Sequence, residues 1–299
     1  MRIITFLFCL LAVPMISFAQ TARQISGEDI AGSFYRYQSF PTKVTEARNV
    51  DVWLPPDYEK DPKKRYSVLY MHDGQNLFNP KESFGGVDWA IDETMTRLIK
   101  EKKIKETIVV GIWNTPRRSL EFMPQKAFDR AATYTKNPNQ SPPAAFTDSG
   151  SDNYLRFIVQ ELKPFIDRTY RTNSDRKNTF IMGSSMGALM SLYAVSEFPE
   201  IFGGAGCLST QFPLGRGVML DYMKKHLPSP KQHKIYFDYG TKTLDKDSEP
   251  YQRKADAIMR LKGYKSGKNW ITRKFEGEEH SEKSWRKRAD IPITYLLGK

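Results

Sequence analysis

The pentapeptide Gly183-Ser184-Ser185-Met186-Gly187 sets a serine between two glycines, each two positions away, directly after the apolar run Thr179 to Met182. That order suits a sharp strand-to-helix turn presenting a nucleophilic hydroxyl, because only glycine or another very small residue fits two positions to either side of so strained a serine. Ser184 fails the same test, since Met182 and Met186 occupy its flanking positions. The pattern alone arises by chance in roughly one chain in ten of this size. The strand before it and the helical stretch Ala188 to Val195 after it make it specific; a glycine-rich packing turn is the other reading. A helix N-terminus under the turn favours a developing oxyanion.

Such a serine needs a base and an acid, and on a strand–turn–helix scaffold the order is Ser, then Asp or Glu, then His. Three of the four histidines follow Ser185: His226, His233 and His280. The acid belongs on the loop after the late strand Lys234 to Tyr239, and the base must come later still, which leaves His280. The loop offers Asp245, Asp247 and Glu249. Asp245 is nearest the strand end and is the first choice to fix the histidine tautomer and stabilise the imidazolium, with Asp247 next. For the oxyanion hole, the Met186 N–H supplies one donor, and the loop Met71 to Asn76 supplies the other through Gln75. A His-Asp-Ser order through His72 with Asp88 or Asp92 would require an all-β architecture.

The elements that must hold these residues alternate. Strands are expected over Val50 to Leu54, Tyr66 to Met71, Thr107 to Ile112, Thr179 to Met182, Ala205 to Leu208, Lys234 to Tyr239 and Trp270 to Phe275. Helices are expected from Trp89 to Lys100, Tyr154 to Thr169, Ala188 to about Glu197, around Leu220, and from Tyr251 to Leu261. Alternation of this kind implies a mostly parallel sheet covered by helices on both faces, the α/β class, which excludes the His72 order. No repeat or linker divides the chain, so residues 20–299 read as one domain. The polar stretch Thr135 to Asp152 is too long for an ordinary connection and reads either as a disordered insert or as a loop shaping the site.

Arg2, the apolar run Ile3 to Ile16 and the small residues around Ala19 read as a cleavable signal over residues 1–19, and so as export to the periplasm or beyond. The run is shorter than the ~20 residues a membrane span needs, and no later stretch is long enough. Cys9 lies in that signal and Cys207 is the other cysteine, so no disulfide is expected in the mature chain. The formal net charge is +12. Basic clusters are short, mixed with acids and free of interleaved aromatics, which argues for a solvated surface and against nucleic acid as a partner.

Several segments together resemble the esterases of the esterase D type, which include feruloyl and acetylxylan esterases of carbohydrate esterase family 1 and siderophore esterases. They are Val52-Trp53-Leu54-Pro55, Tyr70 to Phe78, Gly183 to Gly187, Tyr239-Gly240-Thr241 and the His280 loop. The resemblance covers about Asn49 to Trp285. It implies an α/β-hydrolase fold and an ester hydrolase without cofactor or metal, and it carries over Ser185, His280, and Gln75 with Met186. Feruloyl-type members often place aspartate three residues after the glycine of the Gly-Thr turn, where this chain has Thr243. The segment Trp113 to Pro124 is similar to a family segment near the acyl or leaving-group pocket, so Trp113, Arg117 and Arg118 are candidate substrate contacts, and Phe122 and Phe128 could pack on a sugar or phenolic group. The leading expectation is removal of acetyl or feruloyl groups from carbohydrate esters. The alternatives are a siderophore trilactone esterase, an acyltransferase, and a catalytically silent carbohydrate-binding or interaction protein on the same fold.

Overall fold

The computed structural model describes residues 22–25, 31–134 and 150–299, so the signal call and most of the Thr135 to Asp152 call lie outside the described residues. Nine strands form one sheet in the order β1-β2-β3-β5-β4-β6-β7-β8-β9. They are β1 (Arg23–Ile25), β2 (Ser33–Phe40), β3 (Arg48–Leu54), β4 (Ser67–His72), β5 (Thr107–Ile112), β6 (Thr179–Ser184), β7 (Gly204–Leu208), β8 (Lys234–Tyr239) and β9 (Trp270–Lys274). From β5 to β9 all pairs are parallel, while β1, β2 and β3 join antiparallel at one edge. At the other edge β9 pairs with β8 and, among the described residues, with no further strand. The architecture is an α/β-hydrolase fold, with β1 and β2 added to the expected set.

The helices are α1 (Ile91–Lys100), α2 (Arg118–Glu121), α3 (Gln125–Tyr134), α4 (Ser151–Arg156), α5 (Lys163–Thr169), α6 (Met186–Glu197), α7 (Val218–His226), α8 (Glu249–Leu261), α9 (Glu282–Arg286) and α10 (Asp290–Leu297). The expected helix Tyr154 to Thr169 is α4 and α5 joined by a π-helical turn over Phe157–Leu162. Helices α2, α3, α9 and α10 lie beyond the expected set.

Strands β4, β5 and β6 are buried at every position, as parallel strands covered on both faces must be. Their side chains alternate between two cores. Val68, Tyr70, Ile108, Val110 and Ile181 face the core that carries α6, and Leu69, Met71, Val109, Phe180 and Met182 face the core with α1 and α10. Helix α6 is buried along its whole run from Gly187 to Ser196, which is why its sequence is apolar all round rather than amphipathic. Its two serines turn inward, Ser191 donating to the Gly187 carbonyl and Ser196 to that of Leu192. Burying one such Leu or Ile side chain contributes about 1.5–3 kcal/mol, so the strand and helix that carry the serine are anchored by many small terms.

Candidate active site

Between β6 and α6 the chain reverses at Ser185, whose φ of 58° and ψ of −120° are unusual for a residue with a side chain. Such strain costs on the order of 1–3 kcal/mol and persists only where the surroundings hold it. Here they do: Ser185 N–H donates to the Leu208 carbonyl at 2.9 Å. A Cβ on Gly183 would lie 2.9 Å from the Gly187 carbonyl carbon and 3.0 Å from the His72 ring, so the small-residue requirement at this turn is steric. Ser184 is buried at the end of β6, with its neighbour Ser185 alone turned toward the opening.

Ser185, His280 and Asp245 meet, although 95 residues separate the first two. His280 Nε2 lies 2.8 Å from Ser185 Oγ, and His280 Nδ1 lies 2.8 Å from Asp245 Oδ1. The loops that bring the last two together are fastened by their backbones. Thr241 and Lys242 both donate to the Glu278 carbonyl, at 3.0 and 3.1 Å. Gly240 approaches so closely that a Cβ there would sit 2.3 Å from that same oxygen. Thr243 takes the His280 N–H on its hydroxyl at 2.8 Å, so at the position where related sequences often carry the acid this chain has a clamp for the histidine backbone. Asp247 is exposed and Glu249 is engaged by Arg253 and Lys274.

Asp245 is almost wholly enclosed. Burial pushes its carboxyl up, but hydrogen bonds from His280 and Ser209, the His280 charge and the Gly240 N–H more than offset this, leaving it below the usual aspartate value. Ser209 was not foreseen. Its hydroxyl donates to Asp245 Oδ2 at 2.6 Å while accepting from Trp285 Nε1 and Arg288 Nη2, each at 2.9 Å. Arg288 in turn is paired with buried Asp238, whose Oδ1 also accepts the Ser209 N–H. The acid is therefore gripped from behind by a closed polar network. The position of Ser209 just past the C-terminal end of β7 was the available signal, since strand ends in parallel sheets carry sites.

The two expected oxyanion donors lie at the starts of helical turns. Met186 opens α6 and Gln75 lies in the single turn Gly74–Asn76, positions whose N–H groups have no acceptor within their own helix. The Gln75 loop is held by Asp73, which adopts the left-handed conformation and takes two bonds from Arg118, 2.6 and 2.8 Å, and one from Asn114 Nδ2 at 2.6 Å. Burial raises the Asp73 carboxyl, but Arg118 and Asn114 bring it below its ordinary value. Arg118 is thus engaged by Asp73, and Trp113 by Asp51 through its Nε1 at 2.6 Å and by the Arg36 guanidinium over its ring. Arg117 sits at the start of α2, its N–H on Thr115 Oγ1.

Phe122 and Phe128 do not face an opening. They are 0% and 1% exposed, and Phe122 packs on His72 and Tyr154 instead. The exposed aromatic is Phe84, at 77%, whose N–H binds Asn76 Oδ1 next to Gln75. His72 lies under the turn with Nδ1 2.8 Å from the Tyr154 hydroxyl; burial lowers its pKa to about 3 and keeps it uncharged.

Geometry of this kind can transfer an acyl group: a hydroxyl beside an imidazole and a carboxylate behind it. A family described as "Putative esterase" matches residues 42–290. The chain is similar to an endo-1,4-beta-xylanase/feruloyl esterase of Xylanibacter ruminicola, 26% identical over 260 residues, which are 86% of this chain and 30% of that longer one. Among solved structures it is similar to a ferulic acid esterase (TM-score 0.63, 17% identity, 90% of this chain and 99% of the other). A Shigella flexneri enterobactin esterase superposes with TM-score 0.62 at 18% identity, over 90% of this chain and 59% of its own.

Proposed function

The chain belongs to this esterase family and is a carboxylic ester hydrolase, and on that premise we propose that it is an exported serine esterase that removes acyl groups, acetyl or feruloyl, from carbohydrate esters. The observation that carries the catalytic part is the unbroken hydrogen-bond line Ser185–His280–Asp245. Ser185 Oγ attacks the ester carbonyl and passes its proton to His280 Nε2. The carbonyl oxygen takes the negative charge and is met by the N–H groups of Met186 and Gln75. His280 returns the proton to the departing alcohol, leaving an acyl-enzyme on Ser185. Water, deprotonated by the same nitrogen, then releases the acid. Asp245 accepts a hydrogen bond from His280 Nδ1–H throughout, holding the tautomer and balancing the imidazolium.

The reading of the substrate is supported by the feruloyl esterase relative and by Phe84, an aromatic face carried on the loop that supplies Gln75. Ser83 tightens that link by donating to the Gln75 carbonyl at 3.2 Å. The deciding measurement is kcat/KM for feruloylated or acetylated xylo-oligosaccharide against a ferric catecholate trilactone at one pH and ionic strength. We expect the sugar ester to lead. A preference for the trilactone of about tenfold or more, worth about 1.4 kcal/mol, overturns the carbohydrate assignment and leaves the catalytic one standing.

A further inference from the structure

The basic residues that look scattered along the sequence converge in the fold. In the parallel part of the sheet the loops entering the strands lie at one edge and the loops leaving them at the other. Ser185, Asp245 and His280 follow β6, β8 and β9, whereas Lys105, Lys177 and Lys268 precede β5, β6 and β9 and Lys234 opens β8. Two clefts run along that entry edge. One, of about 640 Å³, is lined by Lys64, Arg65, Lys100, Lys102 and Lys105 against the carboxylates of Asp57 and Glu106. The other, of about 800 Å³, is lined by Lys105, Lys177, Lys231, Lys234, Lys265 and Lys268, with no carboxylate side chain in its wall. Lys105 belongs to both, so the two form one basic track. It passes under six strands, a width of about 24 Å at the usual spacing of about 4.8 Å.

Several lysines are paired with acids, Lys103 with Glu101, Lys163 with Asp167, Lys274 with Glu249, Lys287 with Glu278 and, in the first cleft, Lys64 with Glu106. None of the six in the second cleft has a carboxylate partner among the described residues. Burial first, and then the Lys105 charge, hold Lys234 below the ordinary lysine value. Uncompensated repulsion of this kind is a standing cost that an anionic ligand relieves.

We propose that this entry edge is a docking surface for an acidic polysaccharide, a polymer bearing hydrated carboxylate or sulfate groups, that holds the enzyme with its catalytic edge turned outward. Shape and composition select this partner. Single-stranded nucleic acid is gripped by exposed aromatics that stack on bases, and the one aromatic lining either cleft, Phe180, is 7% exposed. Phosphate sites favour the bidentate arginine fork, but here the two clefts together are lined by ten lysines, Lys299 among them, and one arginine. A lipid surface is met by exposed apolar side chains, and the large ones, Phe84, Leu244 and Leu261, lie outside both clefts. Dispersed lysine point charges in a long concavity suit a flexible, well-hydrated polyanion. The proposal does not depend on which ester the enzyme cleaves.

The test is affinity electrophoresis of the full chain in gels holding polygalacturonate or neutral arabinoxylan, at several salt concentrations. We expect retardation by polygalacturonate alone, weakening steadily with salt. Lys177→Glu with Lys265→Glu should raise the apparent Kd at least tenfold. The charge-matched control Lys225→Glu with Lys254→Glu, two exposed lysines of α7 and α8, should change it less than twofold. Both variants should keep wild-type hydrolysis of p-nitrophenyl acetate, which establishes that each is folded. Equal losses in the two variants, tighter binding to single-stranded DNA or to anionic phospholipid vesicles at the same ionic strength, or no retardation would each overturn the proposal.

Discussion

At the exit edge of the sheet the Asp245 carboxylate receives bonds from His280, Ser209 and the Gly240 N–H, and Asp238 and Asp73 are closed off by Arg288 and Arg118. At the entry edge six lysines share a cleft with no acid. The first region uses charge to fix atoms: a buried carboxylate whose lone pairs are filled has one orientation, and solvent ions do not reach it. The second uses charge to attract at a distance, which requires no fixed geometry and is screened within about 10 Å at 0.1 M salt. One fold thus keeps its precise electrostatics and its diffuse electrostatics at opposite ends of the same strands.

Four measurements break or sharpen that contrast. The largest effect belongs to Ser185→Ala, which should lower kcat for p-nitrophenyl acetate by several orders of magnitude, while Ser184→Ala, buried in β6, stays active. Inactivity of the Ser184 variant instead would relocate the nucleophile. Next, Asp245→Asn should cost about 10³–10⁴ in kcat, because the amide no longer fixes the histidine tautomer, whereas exposed Asp247→Asn should stay within about twofold. Equal losses would remove Asp245 from the proposed acid role. Ser209→Ala deletes the hydroxyl's bond to Asp245 along with those it accepts from Trp285 and Arg288, and as loss of one hydrogen bond to a charged group is worth about 1.5–3 kcal/mol, kcat should fall at least roughly 10- to 100-fold with KM little changed. That loss should be the same at low and high salt; a salt-dependent loss would mean that the exit edge is not shielded as described.

The smallest effect is on stability. His72 is held neutral to about pH 3 in the folded protein, while an unfolded histidine takes a proton near pH 6.5. Below pH 6.5 the unfolded chain therefore binds more protons at this residue, and folding stability should fall with decreasing pH by up to about 1.4 kcal/mol per unit until pH 3. In His72→Leu the urea midpoint should depend less steeply on pH between 6 and 4 than in the wild type. An unchanged slope would show that His72 titrates normally.

Much of the catalytic edge was legible in the sequence because its signals are local. A glycine-flanked serine, a strand before it and a buried helix after it lie within nineteen residues, Thr179 to Glu197. Histidine is scarce enough that order along the chain singled out one of four. What escaped is what depends on distance. Ser209 is an ordinary serine until Trp285 and Arg288, more than 70 residues later, close on it. Phe122 and Phe128 read as site aromatics because apolar residues near a site segment look alike whether they face a ligand or the core. The strand Ser33–Phe40 was missed because its buried Arg36 interrupts the apolar alternation, and only Asp51 and Glu82 make that burial tolerable. The shared clefts of the lysines are likewise not visible along the sequence. Lys105, Lys177, Lys231 and Lys265 lie on four separate connections, and only the parallel sheet brings those connections to one edge.

The last strand of the sheet has a kinetic consequence. Among the strands of the described residues β9 pairs only with β8, and that row of bonds, with the clasp of Thr241, Lys242 and Thr243 on residues 278–280, carries the His280 loop to Ser185. Edge segments open locally at a lower free energy than the buried centre, where β4 and β6 lie. Each opening at β9 would withdraw His280 while β6 and α6 keep Ser185 in place. In rising denaturant, hydrolysis should therefore fade before the core unfolds, and amide hydrogens of Ile271 to Lys274 should exchange with solvent ahead of those of Phe180 to Gly183. Turnover in this enzyme then reads out the opening of one edge strand.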